Sequence, residues 1–172
     1  MNRDSISTAK RAGAPPVRSE PRTGWTSQVL VIANGTADSD ALLKAMTSAA
    51  SREPSTFTLI VPLRDSDPDA LAAASEALAR GLARARTAGL EVDGRLGPRN
   101  PVTASAEAFD RHRHDRIIIS TLHVTSSKWL ALDVPARIRR LTGAEVTHVE
   151  ADAGRDRATA DAWRGRRVTS PT

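Results

Sequence analysis

The sequence predicts an α/β domain built on a doubly wound parallel sheet of five strands, with helices on both faces. Three observations carry this. Strand and helix signals alternate through residues 28–150. Several of the strand segments are unbroken apolar runs, the pattern of strands covered on both faces rather than one. The segments between strands are long enough for helical crossovers, which parallel strands require. At 172 residues the chain suits one domain with tails and is too short for two full-sized domains. No internal repeat at a spacing of roughly 20–50 residues is present.

The elements follow in order. Val29-Leu30-Val31-Ile32-Ala33 is the first buried strand, ending at Asn34-Gly35. Asp38 or Ser39 caps a helix whose Leu42, Leu43, Met46 and Ala49 or Ala50 follow helical spacing. Phe57-Thr58-Leu59-Ile60-Val61 is the second buried strand, stopped by Pro62. Asp67-Pro68 pairs a capping side chain with a proline at the first helical position. Leu71, Ala74, Leu78, Leu82 and Ala85 then form one stripe, and Gly89 ends the helix. Leu90-Glu91-Val92-Asp93-Gly94-Arg95-Leu96 alternates, which reads as a half-exposed strand nearer an edge. Asn100-Pro101 caps a helix with Val102, Ala106 and Phe109 inward. Arg116-Ile117-Ile118-Ile119-Ser120 is the most apolar strand and belongs in the centre. After a polar loop to Lys128, Asp133 caps a helix through Val134, Ile138 and Leu141 that Gly143 ends. Glu145-Val146-Thr147-His148-Val149 closes the series. A flavodoxin-type or Rossmann-type strand order, 3-2-1-4-5, fits this succession best.

Residues 1–27 and 151–172 mix Ser, Thr, Pro, Gly and Arg without apolar periodicity, so both are expected to be disordered basic tails. Trp163 is the one large apolar side chain of the second tail. Charge follows this division. The chain has net charge +5 and a pI near 10.8. Residues 1–27 carry five basic and two acidic side chains, and residues 151–172 five and three. The middle segment, with fifteen of each sign, is neutral. The absence of cysteine excludes a disulfide scaffold, a thiol nucleophile and Cys-ligated zinc. No apolar run approaches a membrane span, and Met1-Asn2-Arg3-Asp4-Ser5 leads into no apolar signal segment. A cytoplasmic location without membrane contact is expected.

In an open α/β sheet the ligand site lies beyond the carboxyl ends of the strands, where strand order reverses. Between the first and fourth strands, that directs attention to two loops. They are Asn34-Gly35-Thr36-Ala37-Asp38 and the stretch from Ser120-Thr121 to Ser126-Ser127-Lys128. With the alternation of elements and the placement of these loops, residues 28–150 resemble the universal stress protein family. That resemblance implies a nucleotide site. In the family an Asp ending the first strand meets adenine and ribose, and a glycine-rich loop after the fourth strand holds the phosphates. Here Asn34 stands at the first position, and Gly35-Thr36 resembles the family's Gly-Ser. Ile118-Ile119-Ser120-Thr121 resembles its fourth strand. No Gly occurs between Gly97 and Gly143, so every phosphate-loop glycine is missing. Glycines let backbone N–H groups approach phosphate oxygens without a Cβ in the way. Ser126, Ser127 and Lys128 supply hydroxyls and one cation but not that cradle.

The remaining candidates each have a structural explanation. Asn34-Gly35 is either a base- or ribose-binding corner or a plain strand-exit turn, since both residues tolerate positive φ. His112 and His114 in Arg111-His112-Arg113-His114-Asp115-Arg116 are two apart and share no helix face, so a solvated helix end is favoured over a metal site. His123 is the histidine nearest the presumed site, but no nucleophile, base and orienting group assemble around it. His148 lies within the last strand as a structural residue. Trp129 packs the loop onto the domain or sits at a subunit contact. With 3% aromatics and no Tyr, the domain lacks a base-stacking platform, so specific nucleic-acid binding is not expected. The Arg-rich ends remain able to touch polyanions. The expectation is a non-enzymatic, stress-associated regulatory module with weak or absent nucleotide binding. Its tentative ligand contacts are Asn34, Gly35, Thr36, Ser120, Thr121, Ser126, Ser127 and Lys128. No metal or resident cofactor is expected, ATP being admitted only as a weak ligand. The alternative is an interaction module, a homodimer or a binder of another protein, acting through dimerisation and basic tails without nucleotide.

Overall fold

Among the described residues, five parallel strands joined by four helices form one sheet in the order β3-β2-β1-β4-β5. The computed structural model describes residues 25–33, 35–63, 67–122 and 133–151. The strands are β1 (Ser27–Ala33), β2 (Ser55–Pro62), β3 (Glu91–Gly97), β4 (Arg116–Leu122) and β5 (Glu145–Ala151). The helices are α1 (Asp40–Arg52), α2 (Pro68–Thr87), α3 (Pro101–Ala108) and α4 (Val134–Thr142). This is the expected order, with β1 at the centre, β4 beside it and the alternating β3 at an edge.

The period of two along β1 divides the core. Val29, Val31 and Ala33 pack with Leu42 and Met46 of α1 and Ala74 and Ala85 of α2. Leu30 and Ile32 face the other way, onto Ala104 of α3 and Val134 and Ile138 of α4. Both faces of β1 are dry because α1 and α2 cover one side of the sheet and α3 and α4 the other. Each fully buried aliphatic side chain contributes about 1.5–3 kcal/mol.

The helix starts mostly obey their caps. Ser39, not Asp38, caps α1, its Oγ accepting from Leu42 N at 3.2 Å. Asp67 caps α2 by accepting from Ala70 N at 2.7 Å. Asn100 caps α3, its carboxamide oxygen accepting from Val102 N and Thr103 N. Asp133 does not cap α4. Its backbone is left-handed at φ 49 and its side chain makes no capping bond, because capping needs the extended backbone seen at the other three. Gly89 and Gly143, at φ 80 and 67, end their helices as expected.

Three residues expected inward are exposed. Leu71 lies in the first turn of α2, which buries nothing before Ala74. Ala106 is exposed because α3 packs through Ala104 and Ser105 instead. Leu141 falls off the i, i+4, i+8 line of Val134, Ile138 and Thr142, and Thr142 takes the buried position.

One close approach was invisible in the sequence. A Cβ on Gly81 would stand 2.6 Å from the carbonyl oxygen of Ala37 and 3.2 Å from Leu59 Cδ2. The helix therefore touches the β1–α1 loop backbone directly, and no larger residue fits without separating them. Gly81→Ala is expected to cost about 1–3 kcal/mol in urea unfolding despite its better helix propensity. Equal or greater stability would show that α2 does not seat on the loop.

Candidate functional site

The ends of β1 and β4 lie side by side, with Ala33 registered to Ser120. Their crossovers depart to opposite faces, so this is the switch point of the sheet. Gly35 leaves β1 at φ 67, as a strand-exit turn requires. Thr36 then turns fully inward, and its hydroxyl donates to the Ser120 carbonyl at 3.1 Å. Ser39 N donates to Thr36 O at 3.1 Å, closing the turn before the α1 cap.

The same loop is held from the side by α2. Arg80 Nε donates to Asp38 Oδ2 at 2.7 Å. Arg84 donates to the Asp38 carbonyl and pairs with the Asp40 carboxylate. Arg80 and Arg84 are one turn apart and reach the same side as Gly81 because α2 crosses the loop there. A concavity lined by Ala37, Asp38, Ser39, Gly81 and Arg84 among others has room for about one water molecule. A small-molecule pocket needs roughly 300–1,000 Å³.

On β4 two neighbouring hydroxyls take opposite faces. Ser120 is completely buried, and its Oγ has no hydrogen-bond partner among the described residues. Thr121 is equally buried, and its Oγ1 shares a 2.8 Å hydrogen bond with His148 Nε2 of β5. This pairing was missed in the sequence. The register that sets Ile119 against His148 makes it, and sequence spacing alone does not supply that register.

Of the sequence candidates, the structure therefore brings Gly35, Thr36, Ser120 and Thr121 to one end of the sheet. Asn34, His123, Ser126, Ser127, Lys128, Trp129 and Trp163 lie outside the described residues. Among the described residues no group of His, Asp and Glu is placed to hold a metal ion.

The histidine pair in the 111–116 run behaves as a built turn rather than a helix end, since α3 stops at Ala108. His114 stacks on Phe109 with ring centroids 5.8 Å apart. Its Nδ1 accepts from the Asp110 backbone N–H at 3.0 Å. Burial lowers the His114 pKa below its ordinary 6.5 and the adjacent Arg113 lowers it further, while the Asp110 and Asp115 carboxylates pull the other way.

No family model matches the chain, and no curated protein matches it. Solved structures do. A crystal structure of a universal stress protein in complex with cAMP superposes with a TM-score of 0.52 at 22% identity, covering 74% of this chain and 100% of that one. The fold is universal-stress-protein-like. The universal stress protein UspA from Lactobacillus plantarum also matches, at 19% identity and TM-score 0.45, covering 72% of this chain and 97% of its own. The five-stranded parallel sheet in the order β3-β2-β1-β4-β5 is thus the fold that the resemblance implied.

Two measurements check the local chemistry. Thr36→Val, which keeps volume and removes the hydroxyl, is expected to lose about 1 kcal/mol, whereas Ser120→Ala should be neutral or stabilising because its hydroxyl is buried unpaired. The reverse ranking in denaturant titrations would refute this assignment. For His114 the folded state favours the neutral ring, so its contribution is complete above about pH 6.5 and is lost as pH falls below that value. His114→Gln should flatten the difference in stability between pH 7 and pH 5, and an unchanged slope counts against the burial of the His114 ring.

Proposed function

We propose that this protein is a non-enzymatic, stress-associated regulatory module in which nucleotide binding at the switch point is weak or absent. One observation carries the reading. The Thr36 hydroxyl, which would face a ligand at the end of β1, is turned inward onto the Ser120 carbonyl. Two others support it. Thr121 is engaged with His148, and no glycine stands anywhere from Pro98 to Thr142 to let backbone amides approach a phosphate. The universal stress protein with the same fold is complexed with cAMP. A single cyclic phosphate demands less of a cradle than a triphosphate, so cAMP ranks above ATP as a ligand here.

The reading puts the protein in the cytoplasm. Among the described residues no helix is long and apolar enough to cross a membrane. Titration calorimetry of the full chain with ATP and with cAMP is the test. Dissociation constants near the millimolar range, about −4 kcal/mol, or no measurable heat, are expected. Micromolar or tighter binding of either nucleotide overturns the binding part. Sustained phosphate release from ATP overturns the non-enzymatic part.

A further inference from the structure

The neutral total of residues 28–150 conceals an uneven distribution. In a doubly wound parallel sheet every helix begins at the exit end of the strands and finishes at the entry end. Asp40 and Asp69 occupy first turns, whereas Arg52, Arg84, Arg86, Arg139 and Arg140 occupy last turns. Complementing the helix dipoles accounts for this much.

Pairing singles out one place. Arg80, Arg84, Arg86 and Arg116 each sit against a carboxylate. At the junction of the 111–113 turn with α4, the arginines do not. Arg111 donates to the Thr142 carbonyl and Arg139 to the Val146 carbonyl, each at 3.3 Å. A carbonyl orients a guanidinium without neutralising it. Arg113 and Arg140 are exposed and form no ion pair among the described residues. Arg137 stands one turn before Arg140 on the same helix face, and α4 contains no acidic residue. The acids alongside are fewer. Asp110 and Asp115 are turned to the His112 and Gln28 amides, and Glu145 opens β5.

We propose that the surface made by the 111–113 turn and the C-terminal half of α4 docks the phosphate backbone of a nucleic acid without reading its sequence. The planar guanidinium fork matches phosphate oxygens two at a time. His112 in the turn and Trp25 just before β1 are exposed, but binding that does not read sequence needs only the phosphate contacts of these arginines. Extent favours a long polymer over a short acidic peptide. Asp115 N donates to Gln28 O at 2.9 Å, so the start of β1 adjoins the turn. Residues 1–24, with five basic side chains in their sequence, join the domain just before it. Positive charge therefore spans α4 and the turn, and the sequence before Trp25 supplies five more basic side chains. This surface is at the opposite end of the sheet from the switch point, and the inference stands whether or not a nucleotide binds there.

The test is fluorescence anisotropy of a short labelled DNA duplex with the full chain over a series of salt concentrations. Wild type should bind with affinity that falls steeply as salt rises. Arg113→Glu with Arg140→Glu should weaken binding by about tenfold or more and reduce the log–log salt slope by roughly 0.9 for each phosphate no longer neutralised. Arg95→Glu changes the net charge as much as Arg140→Glu but lies on the β3 edge, and should have the smaller effect. Circular dichroism melting verifies folding, and Arg113→Gln with Arg140→Gln replaces the double reversal if it does not fold. Four results overturn the proposal: no DNA binding, wild-type affinity in the double variant, equal losses for Arg95→Glu and Arg140→Glu, or binding of polyglutamate in place of DNA.

Discussion

The rest of the structure depends on burying β1 on both faces. Leu30, Val31, Ile32 and Ala33 are completely inaccessible and Val29 nearly so. A strand with no polar face is stable only inside a sheet that is itself covered on both sides, so helices must pack above and below. That requirement sends α1 and α2 to one face and α3 and α4 to the other. It also makes the boundary between β1 and β4 the point where the chain's winding reverses. The crevice on which a functional reading must be tried follows from the dryness of one strand.

On the β1 side of that crevice the chain is tied down. The β1–α1 loop is held by an inward threonine, a serine cap and two arginines of α2, with Gly81 letting the helix come close enough for them to reach. Side chains that in an open site would face a ligand are here committed to the protein's own backbone. The Ser120 hydroxyl, buried and without a partner among the described residues, lies at the centre of this arrangement.

Aligned helices give the domain an electrostatic axis as well as a core. Acidic side chains stand in the first turns of α1 and α2 and arginines in the last turns of α1, α2 and α4, and Arg111, Arg113, Arg137, Arg139 and Arg140 lack carboxylate partners among the described residues. At the end of the sheet that in this class of fold receives ligands, Asp38 and Asp40 are matched by Arg80 and Arg84, whereas at the opposite end the arginines of the turn and α4 are left without carboxylates among the described residues. A charge total of zero therefore describes neither surface.

The elements were legible in the sequence because their signals are local. Apolar runs, Asp67-Pro68, Asn100-Pro101 and the terminal glycines each act within a few residues, and the order 3-2-1-4-5 follows from alternation and crossover length. Asp133 reads as a cap in the sequence but is none, because its left-handed backbone is imposed by what surrounds it and not by its own side chain. The site was half legible. The loops carrying Gly35, Thr36, Ser120 and Thr121 could be located, but their partners could not. A hydroxyl's partner is decided by strand register and helix approach, as His148 against Thr121 and Gly81 against Ala37 show. The sequence by itself determined the layers and their order, since burial pattern and chain connectivity suffice for these. Only the tertiary structure decided which polar groups are spent on one another and where charge is left over, because both depend on distances between residues far apart in the chain.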